Sequence, residues 1–220
     1  PWLEDPGWSV LAGMQPLAAR ISLLVYNLLD LSHETYLHAG FIGTPEVAAT
    51  PIETSFDEES GVVRVSRHME GAECPPFYSE STGLESPIDR WQDIEYTAPG
   101  IYVLRSRIAP AGARPGPDGT DDPRACHAVI LYGLTPSTAT STYDFWLVAR
   151  DFAVGDAGVD EFMWKMNDEV VRQDVDALSI LERRIAADPD GPEVSIKIDR
   201  GALHARRVLQ RLVDAESVGA

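Results

Sequence analysis

Residues 159–187 read VDEFMWKMNDEVVRQDVDALSILERRIAA, a helical pattern that runs long. Met163, Met166, Val170, Leu178 and Leu181 follow three- and four-residue steps and define a stripe expected to be buried. Asp174 falls on that stripe, midway between Val170 and Leu178, whereas Asp168 and Asp176 fall off it. A carboxylate on an apolar stripe needs a partner. The plain candidate is an arginine on a neighbouring element; the other is a cation held jointly with further ligands.

Outward from this helix, residues 201–215 read as a last helix ending in a small-residue tail. On the other side, alternating apolar and polar positions predict strands over residues 61–69, 89–97, 101–109, 127–134 and 141–148. Residues 101, 103 and 105 should face one side of their strand and 102, 104 and 106 the other. Residues 110–124, dense in Pro, Gly and Asp, form an exposed connection, and residues 74–86 are loop-like. Residues 21–38 read as a helix with Leu24, Leu28 and Leu31 on one stripe, ending before Gly40. Residues 1–18 read as an irregular lead-in and 44–58 as a connection. A helix, several antiparallel strands and then two helices define an α+β fold, with helices on one face of the sheet.

The chain has 220 residues, enough for one sizeable core, and 44% are apolar, too many for disorder. A net charge of −17 excludes nucleic acid as a favourable partner, because phosphate binding needs a positive surface. No run approaches the ~20 apolar residues of a membrane span. The start, from Pro1 to Asp5, lacks the features of a signal peptide, which points to the cytoplasm; without a Met, it reads as a cut end. Cys74 and Cys126 are too few for a disulfide scaffold and are expected to be reduced and structural.

Chemistry concentrates in residues 27–38, NLLDLSHETYLH, which hold two of the five histidines. Asn27, Asp30 and His33 are three apart and would share one helix face. His38 lies five beyond His33, ~140° away on an ideal helix. Both imidazoles reach one metal only if the helix distorts or ends there. The bland alternative is two surface histidines near a helix end, with an Asp that solvates it. Asp174 favours the metal, since two His and one carboxylate with open positions suit non-haem Fe(II) that activates O₂. His68, His127 and His204 read as surface or satisfied core histidines.

The segment NLLDLSHETYLHAG resembles the iron-binding segment N-x-x-D-x-x-H-x4-H of Rieske oxygenase alpha subunits, closest to the vanillate O-demethylase branch. PWLEDPGW resembles the stretch where such chains leave their Rieske domain, IDRWQDIEY a strand of the catalytic sheet, and RQDVDALSILERR the carboxylate-bearing helix. The resemblance covers nearly the whole chain. It implies a helix-grip fold, of START and Bet v 1 type, as one catalytic domain over residues 1–220. It makes His33, His38 and Asp174 the ligands of a mononuclear Fe(II). Asp30 would bridge that site to the Rieske cluster of a neighbouring subunit, and Asn27 would stand beside the iron. By resemblance alone, Leu104, Tyr132 and Trp164 are expected in the substrate wall. Tyr26 departs from relatives that carry an acid there.

A Rieske [2Fe–2S] cluster needs two Cys and two His, usually as C-x-H and C-x-x-H, and neither arrangement occurs here. That domain is expected to precede Pro1. The resemblance further implies an aromatic substrate, O₂, a separate NAD(P)H-dependent reductase and a homotrimer. The activity would be mono-oxygenation with O-demethylation of a methoxylated aromatic acid such as vanillate. Two rivals stand beside it: a helix-grip protein that binds a hydrophobic ligand without catalysis, and a zinc hydrolase using the same three ligands.

Overall fold

The computed structural model describes residues 2–219; Pro1, the first residue of the expected lead-in, and Ala220 lie outside them. Seven antiparallel strands form one sheet in the order β1-β7-β6-β5-β4-β3-β2. They are β1 (Ser9–Leu17), β2 (Glu53–Phe56), β3 (Val62–Ala72), β4 (Ile88–Thr97), β5 (Ile101–Pro110), β6 (Cys126–Thr138) and β7 (Ser141–Arg150). From β3 to β7 the strands are sequential neighbours, as hairpin connections require. The five expected strands are all present. The lead-in and the 44–58 connection are not irregular: they contain the edge strands β1 and β2. Pro16 sits within β1, which an edge strand tolerates because one side makes no ladder bonds.

Among the described residues there are six α-helices: α1 (Ile21–Leu29), α2 (Glu34–Leu37), α3 (Pro45–Ala49), α4 (Pro76–Thr82), which corrects the loop expected over 74–86, α5 (Ala157–Ala187) and α6 (Arg200–Gly219). The long α5 starts on a capping Asp156, whose carboxylate accepts from the Gly158 and Val159 amides. Its Met163 is packed with Trp146 and Val148 of β7, and Leu178 joins α1 and the strands in the main core. A sheet gripping one long C-terminal helix is the helix-grip arrangement. Leu181 corrects the expected stripe: it is 47% exposed, and the next residue, Glu182, is the buried one. Glu182 is paired with Arg20 at 2.6 Å and also accepts from the Arg20 amide, tying the entry of α1 to α5.

The expected helix over 21–38 is broken. α1 stops at Leu29, Asp30 takes an extended conformation, and a 3-10 turn spans Leu31–His33 before α2. The cause is local: the Asp30 carboxylate accepts from the Ser32 amide at 2.9 Å and caps the new turn. Gly43 then lets the chain pass closely over Glu34, for a Cβ there would lie 1.8 Å from the Glu34 carbonyl oxygen.

Candidate metal centre

The break at Asp30 brings the two histidines together. Their ring centroids lie 5.1 Å apart with the planes at 78°. His33 Nδ1 faces the Asp30 carbonyl oxygen, and His38 Nδ1 lies 2.8 Å from Gln173 Oε1. Each acceptor fixes the proton on Nδ1 and leaves the Nε2 lone pair free. Both Nε2 atoms converge on Asp174 Oδ1, at 3.7 Å from His33 and 3.4 Å from His38. One ligand atom from each of the three lies within 4.8 Å of the others. Asp174 Oδ1 also accepts from Asn27 Nδ2 at 2.9 Å.

His33, His38 and Asp174 therefore fit a divalent metal by donor chemistry. Two neutral imidazoles with oriented Nε2 atoms and one carboxylate make the two-His, one-carboxylate set. Burial by itself would lower the His38 pKa, but Asp174, with help from Gln173 and Glu34, outweighs it and raises the value. Among the described residues no arginine bonds Asp174, so the plain structural partner is absent.

Behind the histidines lies a buried ionic layer. Glu34 accepts from Arg90 Nη2 at 2.8 Å and from Gln92 Nε2 at 2.7 Å, and Arg90 also donates to the Ile42 carbonyl. Arg67, 1% exposed, lies in reach of Glu34 and Asp30. Burial lowers its pKa against their pull.

A cavity of about 860 Å³, counting its open mouth, leads to the three ligands. Its walls are mainly apolar, with Leu28, Ile42, Phe77, Ile130, Val148 and Met163 prominent. Leu104 and Tyr132 line it. Trp164 does not: it is 46% exposed, one helical step past Met163 and so turned outward. From the same helix, Met163 and Asn167 face the cavity instead.

Sequence reading missed Gln173, Glu34, Arg90, Gln92, Ser106 and Asn167. A signal existed for some. Asn167 stands seven residues before Asp174 on the same helix face. Strand alternation puts Ile88, Arg90, Gln92 and Ile94 on one face, two polar residues between two apolar ones. The other histidines have ordinary partners. His127 is held between Asp121 and Asp151, His68 bonds Asp93, and His204 stacks on Phe56. Cys74 and Cys126 are free thiols.

A helix-grip domain with two His and one Asp turned into an apolar cavity is the class of catalytic domain that Rieske oxygenases carry. Comparison with known proteins agrees. The family model described as "Vanillate O-demethylase oxygenase C-terminal domain" matches residues 17–215, and the chain belongs to that family. It is 34% identical over 98% of its length to the vanillate O-demethylase oxygenase subunit of Pseudomonas sp. (strain ATCC 19151), covering 66% of that protein. Against the dicamba O-demethylase oxygenase component of Stenotrophomonas maltophilia it is 25% identical over 97% of its length, covering 61%. The crystal structure of dicamba monooxygenase bound to 3,6-dichlorosalicylic acid superposes with a TM-score of 0.85 at 23% identity, over 97% of this chain and 61% of that one. The chain thus spans a little under two thirds of these relatives' length. No helix among the described residues is long and apolar enough to cross a membrane.

Proposed function

We propose that this chain is the single catalytic domain of a cytoplasmic terminal oxygenase that demethylates a methoxylated aromatic acid such as vanillate. The observation that carries the reading is the convergence of two oriented Nε2 atoms and the Asp174 carboxylate at an apolar cavity. Family membership supports it, and so does the likeness to the vanillate O-demethylase oxygenase subunit. Fe(II) held by His33, His38 and Asp174 would supply O₂ activation, with electrons reaching it from a Rieske cluster and a separate NAD(P)H-dependent reductase.

In the balanced reaction, one oxygen atom enters a methyl C–H bond and the other leaves as water, using two electrons and two protons. The resulting hemiacetal releases formaldehyde and leaves the phenol. The protein's own groups do the rest. The apolar walls hold the ring and exclude water. Gln173 orients His38, and Asn27 orients Asp174. Asp30, whose backbone carbonyl oxygen meets His33 Nδ1 and whose carboxylate is held by Ser32, would couple the site to the electron donor. Because that donor belongs to a neighbouring subunit in this reading, the working enzyme is an oligomer, a homotrimer by the family resemblance.

Metal analysis of anaerobically iron-loaded protein tests the reading, with wild type beside His33→Ala and Asp174→Ala. About one iron per chain, lost in both variants, is the expected result. Stoichiometric zinc would make the hydrolase the better reading. No metal, or iron retained in both variants, would favour a ligand-binding protein without catalysis.

A further inference from the structure

Leu28, Tyr132 and Asp174 line the main cavity and also a smaller pocket behind it. Tyr132 therefore stands beside the carboxylate of the candidate metal centre. Its ring meets that of Tyr102, its register partner on β5, edge to face with centroids 5.5 Å apart. A side chain next to a site that activates oxygen is itself a target, and the carbons ortho to a phenol hydroxyl are electron-rich.

The other oxidisable residues of the cavity wall are less well placed. Tyr78, Tyr102 and Met163 are buried, whereas Tyr132 is partly exposed. Phe77 is partly exposed too, but it has no hydroxyl to activate its ring and does not share the second pocket with Asp174. Leu28 shares both pockets and offers only aliphatic C–H bonds.

We propose that Tyr132 is a self-hydroxylation site: oxygen activated while no substrate fills the cavity enters the ring carbon ortho to its hydroxyl and leaves a catechol. The inference rests on the reading of the site as an O₂-activating iron centre. One atom of O₂ enters the C–H bond and the other leaves as water, using two electrons and two protons, the same balance as demethylation. With hydrogen peroxide the electrons are already in the oxidant, so one oxygen enters the ring and the other leaves as water without an external donor.

The test treats the iron-loaded chain, its iron content measured first, with hydrogen peroxide. The zinc-loaded chain serves as control, because zinc has no redox chemistry. Peptide mass spectrometry with fragment sequencing locates the added oxygen, and quinone staining identifies a catechol. One oxygen on Tyr132 in the iron-loaded chain, absent from the zinc-loaded one, is the expected result. Tyr132→Phe, checked by melting temperature, should keep its iron and lose the stain. Tyr102→Phe should still be hydroxylated at Tyr132. Oxygen on Met163 or Tyr102 in place of Tyr132, equal marking with zinc, or an unmarked iron-loaded chain would overturn the assignment and leave the iron reading standing. Failure of the wild type to take up iron would overturn both.

Discussion

Asn27 donates from Nδ2 to Asp174 Oδ1 across 2.9 Å, joining residues 147 positions apart. The contact sets the rotamer of the candidate metal-binding carboxylate before any metal arrives. Outer groups that orient a ligand typically matter about 10–100-fold in metal affinity. Asn27→Ala should therefore weaken Fe(II) binding by about tenfold in competition with a chelator, without abolishing it.

Gln173 does the same for His38 from the other side. With Oε1 accepting from Nδ1–H, the Nε2 lone pair points to the metal position. Gln173→Leu should cost about 10–100-fold in Fe(II) affinity. Gln173→Glu, which restores an acceptor, should recover most of it. Equal loss in both variants would show that the site needs the amide for another reason.

Arg90 and Glu34 are both buried, at 2% and 5% exposure. Removing one partner strands a charge without water. Arg90→Met should destabilise the fold by about 3–5 kcal/mol in urea unfolding. The double variant Glu34→Leu with Arg90→Met should be less destabilised than the single one.

Asp144 lies in a second, smaller pocket with Leu17, Tyr132 and Asp174, and burial, with the Asp174 charge nearby, pushes its pKa up to about 7. The unfolded value is about 3.9. Between those two values the folded state binds more protons than the unfolded one, so stability falls as pH rises through the window. Asp144→Asn should match the metal-free wild type near pH 4 and be more stable above pH 7, by on the order of 4 kcal/mol. A constant difference across pH would refute the assignment.

Asp30 uses one carboxylate oxygen, Oδ1, for both the Ser32 amide and the Ser32 hydroxyl. Asp30→Asn keeps that oxygen and replaces the other. In an oxygenase assembled with its Rieske domain, the variant should retain iron by metal analysis and lose demethylation to below about a hundredth of the wild-type rate. Normal turnover would remove Asp30 from the electron route.

Much of this could be read from the sequence, for reasons tied to particular residues. The strands from β3 to β7 announce themselves by period-two alternation, and Asp174 by its place on an apolar helical stripe. Edge strands carry a weaker signal. β1 contains Gly13 and Pro16, and β2 is four residues with a single large apolar side chain. The break at Asp30 was hidden because a 3.6-residue pattern continues across it, while the deciding contact is one carboxylate on one amide. Leu181 and Glu182 exchange roles because Arg20, far away in sequence, supplies a charge partner. Trp164 shows that an aromatic on the ligand helix can still face outward. Gln173 and Gln92 gain meaning only from what they meet across the fold.

The short 3-10 turn at Leu31–His33 has one more consequence. His33 and His38 belong to the first fifth of the chain, whereas Asp174 belongs to its last long helix. A metal bound by all three acts as a removable cross-link, closing a loop that spans most of the polypeptide. Long loops gain most from closure, because the unfolded chain loses the most freedom. Iron at this centre would then be a clasp on the architecture as well as a reagent. Its departure would loosen the seam between the N-terminal helices and α5 and leave the sheet's own ladders in place.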